Sequence, residues 1–160
     1  MEYKEYRNEW SALVEMATLS YPITRYSPPE IVDLSSKEER ERLSASGLKA
    51  LFNIAARWKL RAEDVRELLG GVANGSYFEM KKNPESKVLD ADQMFRISYL
   101  IGIFKALHIL HNEQLADEWV KLANSNRIFG GRTPLEYMTR GGVPAMQVVR
   151  RLLDARRGGM

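Results

Sequence analysis

The sequence predicts an all-α protein, and three observations support this fold class. Apolar residues recur at intervals of three and four, as in Met94, Ile97 and Ile101, which is the spacing of one helix face. Stretches of this kind begin with capping sequences such as Asp90-Ala91-Asp92-Gln93. No run alternates polar and apolar residues with the period of two that a half-buried strand requires.

The composition is that of a protein with a real core and no covalent cross-links. Of the 160 residues, 44% are hydrophobic and none is cysteine, which excludes disulfides and cysteine-based metal sites. The N-terminal MEYKEYRNEW lacks the basic flank and apolar core of a signal peptide. The most apolar window, residues 97–110, is far shorter than the roughly 20 apolar residues of a membrane span. We therefore expect a soluble, cytoplasmic protein that does not enter a membrane.

Punctuation by proline and glycine divides the chain into three segments, residues 1–35, 36–111 and 112–160. In the first, Tyr3, Tyr6 and Trp10 share one face of a helix predicted over residues 3–18, and prolines then form a stiff connector. The aromatic face of this helix packs either on the protein's own core or on a second chain.

The second segment predicts a packing helix followed by two short helices. Ser36 opens a charged helix that Gly47 interrupts, and an amphipathic stretch continues to about Leu60. Residues 62–69 form the next helix, although Arg61 before it cannot accept a bond from backbone N–H groups. After a Gly70-Gly71 turn, Asn74 caps a helix over residues 75–82.

Two short helices joined by a glycine-containing turn match the helix-turn-helix arrangement, and they also match an ordinary packed helical hairpin. In a helix-turn-helix, the early residues of the second helix reach base edges in the DNA major groove. The predicted DNA contacts are Asn74, Ser76, Tyr77 and Glu79 at the bases and Lys81 and Lys82 at the phosphates.

A long central helix is predicted after Asp90, ending near the only two histidines, His108 and His111. No cysteine or carboxylate cluster accompanies them, so packing or surface exposure is favoured over metal binding. Asn112 then caps a helix whose inward residues are predicted to be Leu115, Trp119, Leu122 and Ala123.

The last 35 residues are unusually basic. They hold seven arginines against two acids, a net charge of +5 where the whole chain carries +3. Phe129-Gly130-Gly131 predicts a turn, and Thr133-Pro134-Leu135-Glu136 predicts a helix start with cap, N1 proline and N3 glutamate. Gly141-Gly142 breaks the chain before a last helix. Such charge asymmetry indicates a partner that faces only this end.

Catalytic patterns are missing from the sequence. No G-x-G-x-x-G, P-loop, nucleophile elbow or metal-ligand spacing occurs, and the paired glycines do not follow a strand. We therefore expect a protein that is not an enzyme, with no cofactor, no metal and no catalytic residue.

Two regions together resemble a known family. The first is GLKALFNIAARWKLRAEDVRELLGGVANGSYFEMKKNP with FRISYLIGIFKALHILH, and the second is IFGGRTPLEYM with VVRRLLDARRGG. They are similar to the Xre/MbcA/ParS type II antitoxins. This resemblance implies a Cro-like helix-turn-helix bundle followed by a small helical toxin-binding domain. The matching domain signature is Gly130, Gly131, Arg132, Thr133, Pro134 and Leu135, which we interpret mainly as scaffold.

The resemblance also implies a function. The partner would be a RES-domain toxin that consumes NAD or acts as an ADP-ribosyltransferase, and the antitoxin would be a homodimer that often represses its own operon. The residues expected to contact the toxin directly are Arg150, Arg151, Arg156, Arg157, Gly158, Gly159 and Met160. Arg156 and Arg157 can equally serve to complement the dipole of a helix C-terminus. The alternative function is a stand-alone transcriptional regulator without a toxin.

Overall fold

The computed structural model describes residues 32–158, so the predicted helix over residues 3–18 and its connector lie outside the described residues. Six α-helices follow one another, and the described residues contain no strand, which confirms the all-α class. They are α1 Lys37–Arg57, α2 Ala62–Leu68, α3 Asn74–Lys82, α4 Ala91–Leu110, α5 Glu113–Glu118 and α6 Pro134–Gly158. Short 3-10 turns cover Pro84–Ser86, Trp119–Lys121 and Arg127–Phe129.

Helix α4 is the centre of the fold, as its apolar repeat predicted. It packs against both α1 and α6, and most of its residues are buried. One hydrophobic cluster runs from Leu34 to Leu153, and it includes Leu100 and Leu107 of α4. The second and third predicted segments therefore share a core across α4.

Four helix starts have the capping residues that the sequence predicted. Ser36, Asp90, Asn112 and Thr133 accept hydrogen bonds from the N3 backbone N–H groups at 3.5, 2.8, 2.9 and 3.2 Å. At Asp90 the reciprocal bond is also present, because the Gln93 side chain accepts from the Asp90 N–H at 3.1 Å. Each cap satisfies one of the donors that a helix start leaves unpaired.

Three local predictions are wrong. Gly47 does not interrupt α1, which continues through it with this glycine buried. Asn74 is the first residue of α3 and not its cap; Ala73 holds the cap position, and no side chain caps this helix. Leu122 and Ala123 are exposed and do not face inward. Helix α5 ends at Glu118 and a 3-10 turn follows, so the later residues no longer have the α-helical spacing that the prediction assumed.

Helix α6 bends at the predicted glycine pair. Gly142 has φ 66° and ψ −147°, a backbone conformation that costs little only for glycine, and Pro144 follows two residues later. The predicted Gly130-Gly131 turn is also present, with φ values of 57° and 82°. The kink gives the C-terminal half of α6 its own direction across α4.

Candidate functional site

The turn between α2 and α3 is closed by backbone hydrogen bonds that start from two glycines. Gly70 and Gly71 have φ values of 94° and 87°, and the Gly71 N–H donates to the Arg66 carbonyl at 2.9 Å. The Arg66 side chain in turn donates to the Val72 carbonyl at 2.8 Å. This turn fixes the direction of α3 relative to α2, as a helix-turn-helix requires.

The inward face of α3 is held on α1 by aromatic packing. Tyr77 is 3% exposed, and its ring lies edge-on to Phe52 with centroids 5.9 Å apart. Met80 is buried beside it. The prediction that Tyr77 contacts bases is therefore corrected. Tyr77 is buried, and its ring packs α3 against the core.

The outward face of α3 carries polar, basic and aromatic side chains. Among the residues predicted to contact DNA, Asn74, Glu79, Lys81 and Lys82 are exposed, and Ser76 is half-buried. Phe78, which sequence reasoning did not select, is 52% exposed on this face. We call Asn74, Phe78, Lys81 and Lys82 the α3 surface. The signal that identifies Phe78 is its position four residues after Asn74 and four before Lys82, which places the three on one side of a helix.

The cap residue of helix α2 is Arg61, whose side chain accepts no hydrogen bond from the backbone N–H groups of the first turn, as the sequence predicted. The Asp64 carboxylate instead accepts from the Arg61 N–H at 3.3 Å and from its guanidinium at 3.1 Å. Hydrogen bonding from the Arg61 guanidinium holds the pKa of Asp64 below its ordinary value. The first turn is thus stabilised from inside the helix.

The residues of the predicted domain signature, together with Phe129 before them, form a turn and the start of α6. Phe129 is buried edge-on against Trp119 and Tyr137, with ring centroids 6.0 and 5.4 Å apart. Gly130 and Gly131 have open space where a Cβ would stand, so they are needed for backbone conformation and not for close approach. In the rest of the signature, Arg132 is exposed, Thr133 is half-buried, and Pro134 and Leu135 are buried.

Arg150 lies between α6 and α4, although the sequence predicted it at a partner surface. It is 9% exposed, and its guanidinium occupies the space where a Cβ at Gly102 would stand. Its Nε donates to the Asp154 carboxylate at 2.8 Å. The expectation of a direct contact is therefore corrected for Arg150, because the absence of a side chain at Gly102 lets this arginine pack inside.

The end of α6 exposes other basic residues. Arg151, Arg156, Arg157 and Gly158 are exposed, whereas Gly159 and Met160 lie outside the described residues. Arg157 is 3.7 Å from the Asp154 carboxylate. We call Arg151, Arg156 and Arg157 the α6 surface.

Lys105 of α4 is close enough to two arginines of α6 for their positive charges to affect its ammonium group. The pKa of Lys105 is lowered, first by burial of its ammonium group and then by the like charges of Arg150 and Arg157. The positive charge of this end of the molecule therefore comes from two helices, and α4 contributes to it.

His108 packs at the junction of α1, α4 and α5, beside charged side chains of α1 and α5. His108 Nδ1 is 2.8 Å from the Phe104 carbonyl, and its Nε2 is 3.0 Å from Asp117. Arg57 connects the same carboxylate to Glu113, at 3.0 and 2.9 Å. No group of three residues suited to metal ligation occurs between residues 32 and 158.

Within residues 32–158, no helix is both long enough and apolar enough to span a membrane. The exposed groups of the α3 and α6 surfaces can donate hydrogen bonds and pair with anions. They are two separate helical surfaces on a common core.

Comparison with known proteins divides the chain between two family models. The Antitoxin Xre-like helix-turn-helix domain matches residues 36–102, and the Antitoxin Xre/MbcA/ParS C-terminal toxin-binding domain matches residues 105–159. The uncharacterized protein y4oB of Sinorhizobium fredii is 41% identical over 113 residues, which cover 70% of this chain and 84% of that protein. No solved structure matches the chain significantly.

Proposed function

The chain belongs to the Xre/MbcA/ParS antitoxin family, and from this premise we propose that it neutralises a RES-domain toxin and represses its own operon as a homodimer. An Xre-like helix-turn-helix domain and a C-terminal toxin-binding domain are both present. The proposal adds the kind of toxin, one that consumes NAD, and the way in which it is silenced.

The observation that carries the toxin proposal is the α6 surface, which lies within the matched toxin-binding domain and exposes three arginines. Guanidinium groups pair with carboxylates through two parallel hydrogen bonds, and they keep their charge at any physiological pH. An enzyme that processes a dinucleotide needs polar or acidic groups in its cleft. The α6 surface therefore suits the rim of such a cleft.

Neutralisation in this proposal requires no chemistry by the antitoxin. The chain beyond Arg157 begins with Gly158 and continues as Gly159 and Met160. Glycine carries no side chain beyond a hydrogen atom, so the Gly158-Gly159 segment can pass through a narrow opening. With the arginines paired at the rim, these last residues would occupy the space of the NAD substrate, while the buried Arg150 keeps α6 in place.

The test of this proposal is coexpression with the RES-domain protein encoded next to the gene. Wild-type antitoxin should copurify with the toxin, block NAD consumption and restore growth. The R151E/R156E variant should lose at least ten-fold in affinity, because its glutamates would repel the carboxylates that we propose the arginines pair with. A chain that ends at Asp154 should bind weakly and fail to protect NAD.

The control is R140E, an Arg-to-Glu change at one exposed residue of α6 before the kink, which carries half the charge change of R151E/R156E. It should bind toxin as the wild type does. Equal losses in R140E and R151E/R156E would point to net charge and against a contact at the α6 surface. Full protection by the chain ending at Asp154 would overturn occlusion.

Repression of the operon is supported by the helix-turn-helix match and by the α3 surface, with Lys81 and Lys82 placed for phosphates. The match to a toxin-binding domain favours an antitoxin over a stand-alone regulator. Promoter DNA should shift in a gel at low salt, and the affinity should fall steeply as salt rises because cations are released from the phosphates.

A further inference from the structure

Phe78 is an exposed aromatic residue at the centre of an otherwise polar helix face. It is 52% exposed, whereas the neighbouring Tyr77 and the nearby Met80 are buried. Asn74 lies one turn before it and Lys82 one turn after it, both exposed. An apolar ring is therefore placed between an amide and an ammonium group on the α3 surface.

The Phe78 ring is supported from below. It lies edge-on to Tyr77, with ring centroids 5.1 Å apart and planes at 74°. Tyr77 is in turn packed against Phe52 of α1. This chain of ring contacts connects Phe78 to the core, so that the ring is presented in a limited range of positions.

We propose that Phe78 recognises a thymine in the major groove by packing against its C5 methyl group. This inference rests on the DNA-binding function proposed for the chain. The thymine C5 methyl is the apolar group that an A·T pair presents there, and Phe is one of the side chains that contact it. The phenylalanine ring has no polar atom, so it cannot hydrogen-bond with the donors and acceptors on the base edges. An exposed Phe on this helix therefore selects for thymine.

The neighbours of Phe78 agree with this assignment. Asn74 carries an amide that can bond an adenine edge bidentately, and Lys81 and Lys82 can reach phosphates. Residues one turn apart are separated by roughly 6 Å along a helix, which is close to two base-pair steps. The operator half-site should then place a thymine about two base pairs from the base that Asn74 contacts.

The basic residues of the α3 surface favour DNA over a protein partner at Phe78. A phosphate backbone on either side of the groove complements Lys81 and Lys82, whereas a second copy of this chain would bring the same positive charges against them. A contact of Phe78 with the toxin or with a second copy of the chain would give a different result from a DNA contact in the experiment.

The experiment uses the full-length protein and its own promoter, with the bound site located by footprinting. Each thymine in the site is replaced singly by deoxyuridine, which removes only the C5 methyl group. We expect that this replacement at one thymine in each half-site will lower the affinity of the wild type about four-fold. A loss of this size corresponds to the removal of one buried methyl group. Substitutions elsewhere in the site should have little effect.

Phe78→Ala should bind the unmodified site several-fold more weakly and should no longer distinguish thymine from uracil at that position. Phe78→Leu, which keeps an apolar side chain, should retain part of the preference. The matched control is Val88→Ala, which truncates another exposed apolar residue, 49% exposed and outside α3. It should keep both affinity and discrimination.

Each other outcome would overturn the assignment of Phe78. Binding by the wild type that is indifferent to uracil at every position would refute methyl readout and leave operator binding intact. No shift of promoter DNA at low salt would refute both. If Phe78→Ala kept its DNA affinity but lost dimerisation or toxin binding, Phe78 would belong to a protein interface.

Discussion

The α3 surface and the α6 surface are joined to the same core by different chemistry. Under the α3 surface, the Tyr77 ring packs on Phe52 through apolar contact. Under the α6 surface, Arg150 pairs with Asp154 and fills the space above Gly102. Apolar packing does not depend on salt or pH in the way that a charged cluster does.

The comparison shows how a binding surface is supported. Beneath each surface lies one buried residue that the sequence had assigned to a contact with the partner. Tyr77 is this residue next to the exposed Phe78, and Arg150 is this residue next to the exposed Arg151. Substitution of the buried residue should therefore change stability, whereas substitution of its exposed neighbour should change binding.

The largest expected effect separates Tyr77 from Phe78. Tyr77→Ala should lower the free energy of unfolding by about 3 kcal/mol, because it removes a buried ring that holds α3 on α1. Phe78→Ala should change it by less than about 0.5 kcal/mol, because its ring is half-exposed. Urea unfolding followed by circular dichroism measures both. Equal losses in the two variants would contradict this division of roles.

A smaller loss is expected at the base of the α6 surface. In Gly102→Ala the new methyl group would overlap the Arg150 guanidinium, which must then leave its site and its partner Asp154. The free energy of unfolding should fall by about 2 kcal/mol. Gly75→Ala is the control, since its Cβ would meet nothing within 4 Å, and there the stability should be unchanged or higher.

The smallest effect concerns the pH dependence of the α6 side. Because the folded pKa of Lys105 is lowered from 10.5, the charged form is disfavoured in the folded protein. Lys105→Met should therefore stabilise at pH 7, by less than about 1 kcal/mol for a half-buried group. Between the lowered pKa and 10.5 the unfolded chain holds a proton that the folded chain releases, so wild-type stability rises with pH there.

Urea unfolding of both proteins from pH 7 to 10 tests this prediction. The advantage of Lys105→Met should shrink as the pH rises and also as salt is added, because salt screens the like charges of Arg150 and Arg157. An advantage that does not change with pH would show that methionine acts by packing alone. Tyr77→Ala should show no comparable pH dependence.

Local features of the chain were predictable because their causes lie within a few residues of one another. Asp90 with Gln93, and Thr133 with Glu136, identify helix starts by hydrogen bonds that span three residues. The glycine turns follow from backbone conformation alone. The burial of Gly47 within α1 was not predictable, because it is decided by neighbours outside that helix.

By itself, the sequence determined the all-α class, most of the helix starts, and the family signature around Phe129 to Leu135. Only the tertiary structure decided which of the proposed contact residues face outward. Gly102 lies within the apolar window of residues 97–110, and only the structure shows that Arg150 of α6 fills the space above it. The physical reason is that hydrogen bonds of caps and turns are local, whereas burial depends on which helices pack together across the chain.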